Sequence, residues 1–221
     1  MRMRVIACRV MIDEMRSFLH ADVETEVFEI SRHVRPKQLK LDLQAAIDRA
    51  EESCDTILLG YGLCSNAVVG LRSRKARMVI PKMHDCIGVF LGSHREYLEE
   101  MSREPAFFLT QGYIRGYQSD GSGPMDEFDK VEKRYGREKA AKMFGEMMRP
   151  YKRLVYIRTA QALDVEADRD YSRQMAARFS MRFEEKTGTS ELLRQMVECK
   201  WEDGFVVVRP GEEVTLEHFM R

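Results

Sequence analysis

The alternation of short apolar runs with segments of helical period constrains this chain more than any other feature. Arg4-Val5-Ile6-Ala7 ends at Cys8, Met11 to Leu19 follows with helical spacing, and Glu26 to Ile30 reads as a second strand. After Pro36, the residues Leu39, Leu43, Ala46, Ile47 and Ala50 recur three and four apart, which predicts a helix. Thr56 to Leu59 is a third strand stopped by Gly60-Tyr61-Gly62, and Met78-Val79-Ile80 a fourth closed by Pro81. Gly92-Ser93 supplies a turn and N-cap for a helix to about Met101, and Phe107-Phe108-Leu109 is a fifth apolar run. Strands and helices alternating at this spacing predict βαβ units around an open, mostly parallel sheet, an α/β fold of flavodoxin or Rossmann type flanked by helices.

The second half is less regular. Ser119 to Pro124 is rich in Gly and Ser and predicts an exposed loop, followed by a Met-rich and Lys/Glu-rich helix over 125–148. Leu154 to Ile157 and Phe205 to Val208 read as two further strands, with helices near 164–179 and 189–199 between them. The expectation is one α/β domain over 1–221 with helical C-terminal additions, and 119–124 is where a minor boundary would fall.

Composition removes several classes of function. An apolar fraction of 44% is too rich for a disordered chain, yet no stretch approaches the roughly 18–20 apolar residues of a membrane span. Thirty-six basic residues balance thirty-six acidic ones, so no global field favours nucleic acid or a membrane surface. Val5-Ile6-Ala7-Cys8 after two arginines has the look of a lipoprotein signal end, but its apolar core falls short of the about 7–15 residues a signal needs. A buried strand in a cytoplasmic protein is expected.

Five cysteines, at 8, 54, 64, 86 and 199, are too few and too odd in number for a disulfide scaffold, so they should be core thiols, reactive thiols or metal ligands. Cys8 ends the first strand, Cys64 lies just past the third and Cys86 just past the fourth, with His84 two residues before it. In open α/β sheets, ligands bind outside the carboxyl ends of the strands. A flavodoxin-like strand order of 2-1-3-4-5 would gather these three thiols and one imidazole on one edge. Three thiolates with a histidine suit zinc, which leaves a position open for chemistry when only three protein ligands bind it. They equally suit an iron–sulfur cluster held by three cysteines with one iron free. The metal-free alternative makes Cys86 a nucleophile with His84 as its base. Cys54 and Cys199 read as packing residues, and His20, His33, His94 and His218 as surface or helix-end residues.

Other segments would complete such a site. Gly60, Tyr61 and Gly62 allow a tight turn and close backbone approach, and Ser65 and Asn66 are placed to cap a helix or meet an anion; these five are the candidate cofactor-binding residues. The segment has no P-loop lysine and no third dinucleotide-fingerprint glycine. Gly92-Ser93-His94-Arg95 is either an ordinary cap or an anion site. Tyr113 and Arg115 follow the fifth strand as a proton donor and an anion-holding group, and with His84 they are the candidate catalytic residues. The charged stretch Asp126–Lys142 reads as a solvated face, and Met143 and Met147 as core filler.

The run Cys54-Asp55-Thr56-Ile57-Leu58-Leu59-Gly60-Tyr61-Gly62-Leu63-Cys64-Ser65-Asn66, with His84-Asp85-Cys86-Ile87 and Leu91-Gly92-Ser93, resembles the domain-of-unknown-function family numbered sixteen thirty-eight. Ala7-Cys8, Tyr135-Gly136 and Trp201 to Gly211 extend the resemblance along nearly the whole chain. The family pattern has a Gly after the first Cys and a Trp after the fifth strand, where this chain carries Arg9 and Tyr113. The resemblance implies no established reaction, but an association with corrinoid-dependent methyl transfer. The His-x-Cys spacing with remote cysteines is also similar to the thiol-activating zinc site of cobalamin-linked methyltransferases.

Together these readings predict a zinc or iron–sulfur protein with a Cys8, Cys64, Cys86 and His84 site, acting on a small thiol or acid or in corrinoid-linked methyl transfer. The alternative is a non-catalytic accessory or metal/corrinoid carrier for a corrinoid protein or methyltransferase partner.

Overall fold

The computed structural model describes residues 2–220. Its strands are β1 (Met3–Cys8), β2 (Glu24–Phe28), β3 (Thr56–Gly60), β4 (Arg77–Pro81), β5 (Ala106–Leu109), β6 (Arg153–Arg158), β7 (Arg182–Thr187) and β8 (Phe205–Val208). Its helices are α1 (Arg9–Met15), α2 (Pro36–Ala50), α3 (Cys86–Leu91), α4 (His94–Met101), α5 (Gln111–Asp120), α6 (Pro124–Tyr135), α7 (Arg137–Met148), α8 (Val165–Arg178), α9 (Glu191–Val197) and α10 (Glu217–Met220). A 3-10 turn spans Ile30–Val34. Among the described residues, no helix is long and apolar enough to cross a membrane.

The strands form two sheets. One has the order β2-β1-β3-β4-β8, parallel except for β8, which runs antiparallel to β4; the other is the parallel trio β5-β6-β7. The α/β class and the mostly parallel pairing are as the sequence pattern predicts. The expected place of the fifth strand is not. Phe107–Leu109 pairs with β6 in the second sheet, and the position beside β4 is taken by β8. Strand β3 is buried along its whole length, as the central strand of a sheet covered on both faces must be, which is why it reads as an unbroken apolar run. One contiguous core runs through both sheets, from Val5, Leu58 and Val79 to Leu154 and Val155.

Two elements depart from expectation. The helix expected over 125–148 is broken into α6 and α7 at Gly136, whose φ of 85° lies in the left-handed region that glycine occupies without strain. The α6–α7 hairpin carries its own small cluster of Phe128, Ala140 and Phe144. Strand β7, Arg182 to Thr187, has no counterpart in the sequence reading, because its residues are largely charged and only half-buried.

Candidate functional site

Parallel pairing of β1 with β3 and of β3 with β4 makes the first, third and fourth strands immediate neighbours, with Ala7 level with Gly60. Cys8 ends β1 and caps α1; Cys86 begins α3. Cys64 is drawn across by backbone hydrogen bonds. The Leu63 amide donates to the Met83 carbonyl at 2.8 Å, and the Cys64 amide to the His84 carbonyl at 2.9 Å. Gly62 makes this seating feasible, since a Cβ there would lie 2.8 Å from the Met83 carbonyl oxygen and 2.9 Å from the Asp85 backbone.

The three thiols are buried and act on one another. Burial pushes the Cys8 thiol up, with Cys86 adding to it; burial and then Cys8 push Cys64 up to about 12; burial and then Cys64 raise Cys86. Desolvation disfavours the thiolate, so all three are neutral thiols at neutral pH. Arg9 acts on Cys8, but its guanidinium is committed to Glu29 at 2.6 Å. Nearby backbone amides oppose that rise: Val10 at Cys8, Gly62 and Cys86 at Cys64, and Cys86's own amide at its side chain. Tyr113 shares a hydrogen bond of 3.0 Å between its hydroxyl and Cys86 Sγ. Tyr61 is fully buried beside Cys8 and Cys64, both of which help raise its phenol, and its hydroxyl has no partner.

Other predicted site residues are placed differently. The His84 ring is exposed and stacks with Tyr97 at 5.5 Å and lies 5.2 Å from His94, so the residue reaches the site through its carbonyl rather than its imidazole. Its neighbour Asp85 is tied to the Gly88 amide and the Tyr97 hydroxyl, each at 3.0 Å. Arg115 acts on Asp168 of α8 and is not among the residues lining the adjoining cavity. Ser65 and Asn66 cap no helix; with Cys64 they form three consecutive left-handed residues, φ 45°, 56° and 64°. Such backbone is costly for non-glycine residues and is held here by the loop's seating on residues 83–85.

A cavity of about 700 Å³ opens beside Cys8 and Tyr113, walled by α5, the 3-10 turn and the α6–α7 hairpin. It contains two features the sequence reading missed. His33 lines it, stacked on Tyr61 at 5.8 Å, with a buried Nε2 that has no partner; no periodic signal marks this residue in Ile30 to Val34. Met143 and Met147 also line it and are 47% and 52% exposed, which corrects their reading as core filler. Cys54 is a buried packing thiol donating to the Ala50 carbonyl, as expected, whereas Cys199 is exposed.

The family model described as Protein of unknown function (DUF1638) matches residues 27–197. The chain belongs to that family. The DUF1638 match takes in Cys64, Cys86, Tyr113 and both walls of the cavity, and starts after Cys8. No curated protein and no solved structure matches the chain. In this DUF1638 member Arg9 pairs with Glu29, and Tyr113 with Cys86.

Whether the residues fit a metal has two sides. For it stand three free, buried thiols at the edge shared by β1, β3 and β4, each with a nearby backbone amide that favours its ionised form. Against it, no group of three His, Cys, Asp or Glu side chains among the described residues is disposed to hold a metal ion as it stands. Binding would require the thiols to shed their protons and draw closer together.

Proposed function

We propose that Cys8, Cys64 and Cys86 bind a soft metal, zinc or an iron–sulfur cluster, at the carboxyl edge of the first sheet. The observation that carries this reading is the placement of three buried thiols beside the carboxyl ends of three adjacent strands, with the Cys64 loop hydrogen-bonded to residues 83 and 84. A metal supplies the positive charge that stabilises thiolates there, and the nearby amides favour the same ionised form. Tyr113, on Cys86, is the residue placed to give or take a proton beside the bound group. His84 remains outside this set because its exposed ring stacks on Tyr97 beside His94.

An open position on such a metal suits activation of a thiol-bearing substrate, and the aromatic and methionine wall beside Cys8 favours one with an apolar body over a small acid. A methyl-transfer step with a corrinoid partner is compatible with this chemistry, and so is a carrier that hands its metal on. The free state of all five cysteines supports a reducing, cytoplasmic setting, and the order β2-β1-β3-β4 supports a flavodoxin-like reading of the first sheet.

The test is metal content after purification without oxygen, with a visible spectrum on the same sample. Cys8→Ser, Cys64→Ser and Cys86→Ser should each lose the metal, while Cys54→Ser and Cys199→Ser keep it. Equal metal content in all five variants would sink the assignment.

A further inference from the structure

The cavity beside Cys8 has a chemistry of its own. Its volume of about 700 Å³ is in the usual range for small-molecule sites. One wall is aromatic: Tyr113 and Tyr117 stand 5.9 Å apart, and Phe107 meets Tyr151 edge-on at 5.3 Å. The facing wall comes from α7 with Met143, Met147 and Met148, flexible thioethers that adapt to irregular apolar shapes. No Lys or Arg lines the cavity, and its carboxylate, Glu127, is paired with Lys130 at 2.7 Å. An anion would therefore enter without a counter-charge, and that desolvation is expensive.

Two polar atoms of the residues lining this apolar space are left unmatched by the fold, His33 Nε2 and Ser122 Oγ, and the imidazole is the larger of the two groups. Buried polar groups are normally hydrogen-bonded, so an orphan facing a cavity marks where a ligand or water is received. Burial lowers the His33 pKa, which keeps the imidazole neutral and fit to pair with an uncharged group.

We propose that this cavity binds an uncharged, largely apolar small molecule through a hydrogen-bonding group received by His33 Nε2, with the bound molecule lying against Cys8. The inference goes beyond metal binding and shares Cys8 and Tyr113 with that site. It assigns the α6–α7 hairpin a task as one wall of a ligand site, and it excludes phosphate- and carboxylate-bearing compounds as occupants.

A matched pair of fluorescent probes tests it: N-phenyl-naphthylamine, which is neutral, and anilinonaphthalene sulfonate, which adds one negative charge to the same rings. The neutral probe should bind at about one per chain, and the sulfonate at least about tenfold more weakly because its charge finds no partner. Met147→Glu, at a half-exposed helix position where the fold tolerates a charge, should weaken the neutral probe about tenfold by the same cost. His33→Phe, which keeps a ring against Tyr61, should weaken it about fivefold through loss of one hydrogen bond. Circular dichroism verifies that both variants are folded. Equal binding of the two probes, or unchanged binding in Met147→Glu, would overturn the proposal. Metal content measured on the same samples keeps the two readings apart: unvaried protein that holds metal but does not bind the neutral probe counts against the cavity, and protein that binds the probe but holds no metal counts against the thiol site.

Discussion

At the carboxyl ends of β1, β3 and β4 the buried polar groups are neutral and partly unmatched: three thiols, Tyr61 with an unpartnered hydroxyl and His33 with an unpartnered Nε2. Across the second sheet, burial of polar groups takes the opposite form. Arg153 on β6 is fully buried and fully charged, and every nitrogen of its guanidinium is engaged. Its Nε donates to the Glu104 carbonyl at 2.8 Å, Nη1 to Glu100 and to Glu184, and Nη2 to the Glu100 carbonyl at 3.2 Å. Lys186 and Arg103 add further donors to Glu100. A buried network that closes on itself has no capacity left for a ligand, whereas one that leaves donors and acceptors open does. The difference separates scaffold from site without reference to any reaction.

That contrast can be broken most directly at Arg153. Arg153→Met keeps the volume but leaves Glu100 and Glu184 short of their buried cation. The expected loss is about 3 kcal/mol of unfolding free energy by urea titration, the low end for breaking a buried ion pair because Lys186 and Arg103 still reach Glu100. A loss under about 1 kcal/mol would mean that the network is no more structural than a surface pair.

The pH dependence of stability should divide along the same line. Burial alone would raise the Glu100 carboxyl, but hydrogen bonds from Arg153 and Lys186 and their charges hold it below its usual range. Its contribution is thus complete above the unfolded carboxylate range and is lost as pH falls through the folded value. The thiols behave in the opposite sense. Cys64 titrates near 9.0 when unfolded and about 12 when folded, so in metal-free protein its contribution is intact below pH 9 and is lost as pH rises. Each buried thiol should cost about 1 kcal/mol per pH unit in that alkaline window. Urea titrations across pH should show Cys64→Ser flattening the alkaline limb and Arg153→Met flattening the acid limb. The reverse pattern would contradict the division.

The smallest effect is expected at Ser65, exposed and left-handed at φ 56°. Ser65→Gly removes the clash of Cβ with its own backbone and should raise stability by about 0.5–1 kcal/mol. A decrease in the urea midpoint instead would show that the hydroxyl makes a contact the loop depends on.

The centre of the first sheet was largely legible in the sequence because β1, β3 and β4 are mostly buried and therefore written as apolar runs. The neighbouring placement of the segments that carry Cys8, Cys64 and Cys86 was legible to the same extent, since β1, β3 and β4 do lie side by side. Strand β7 was not legible, since Arg182, Glu184, Glu185 and Lys186 form ion pairs with β6, with the helices packed on it and within the strand instead of an apolar stripe. His33 was missed for a related reason. A 3-10 turn has no periodic signature, and the burial of Nε2 depends on Tyr61, nearly thirty positions along the chain. The break at Gly136 was the kind of signal a glycine after a helical run does give, and it was overridden by the continuity of charge on either side.

Strand β8 has a consequence for how this molecule is made. Met78 pairs with Val208 and Pro81 with Phe205, while Lys82 donates to the Gly204 carbonyl and Gly211 to that of Ser73. Until β8 has been synthesised, β4 presents a bare row of peptide groups next to the turn that carries Cys86. A nascent chain stalled before that point holds an open, apolar sheet edge of the kind that seeds misassembly. Completion of the thiol-bearing edge is therefore timed by translation rather than by the local sequence around the cysteines, and chaperone dependence should be greatest for chains arrested between β7 and β8.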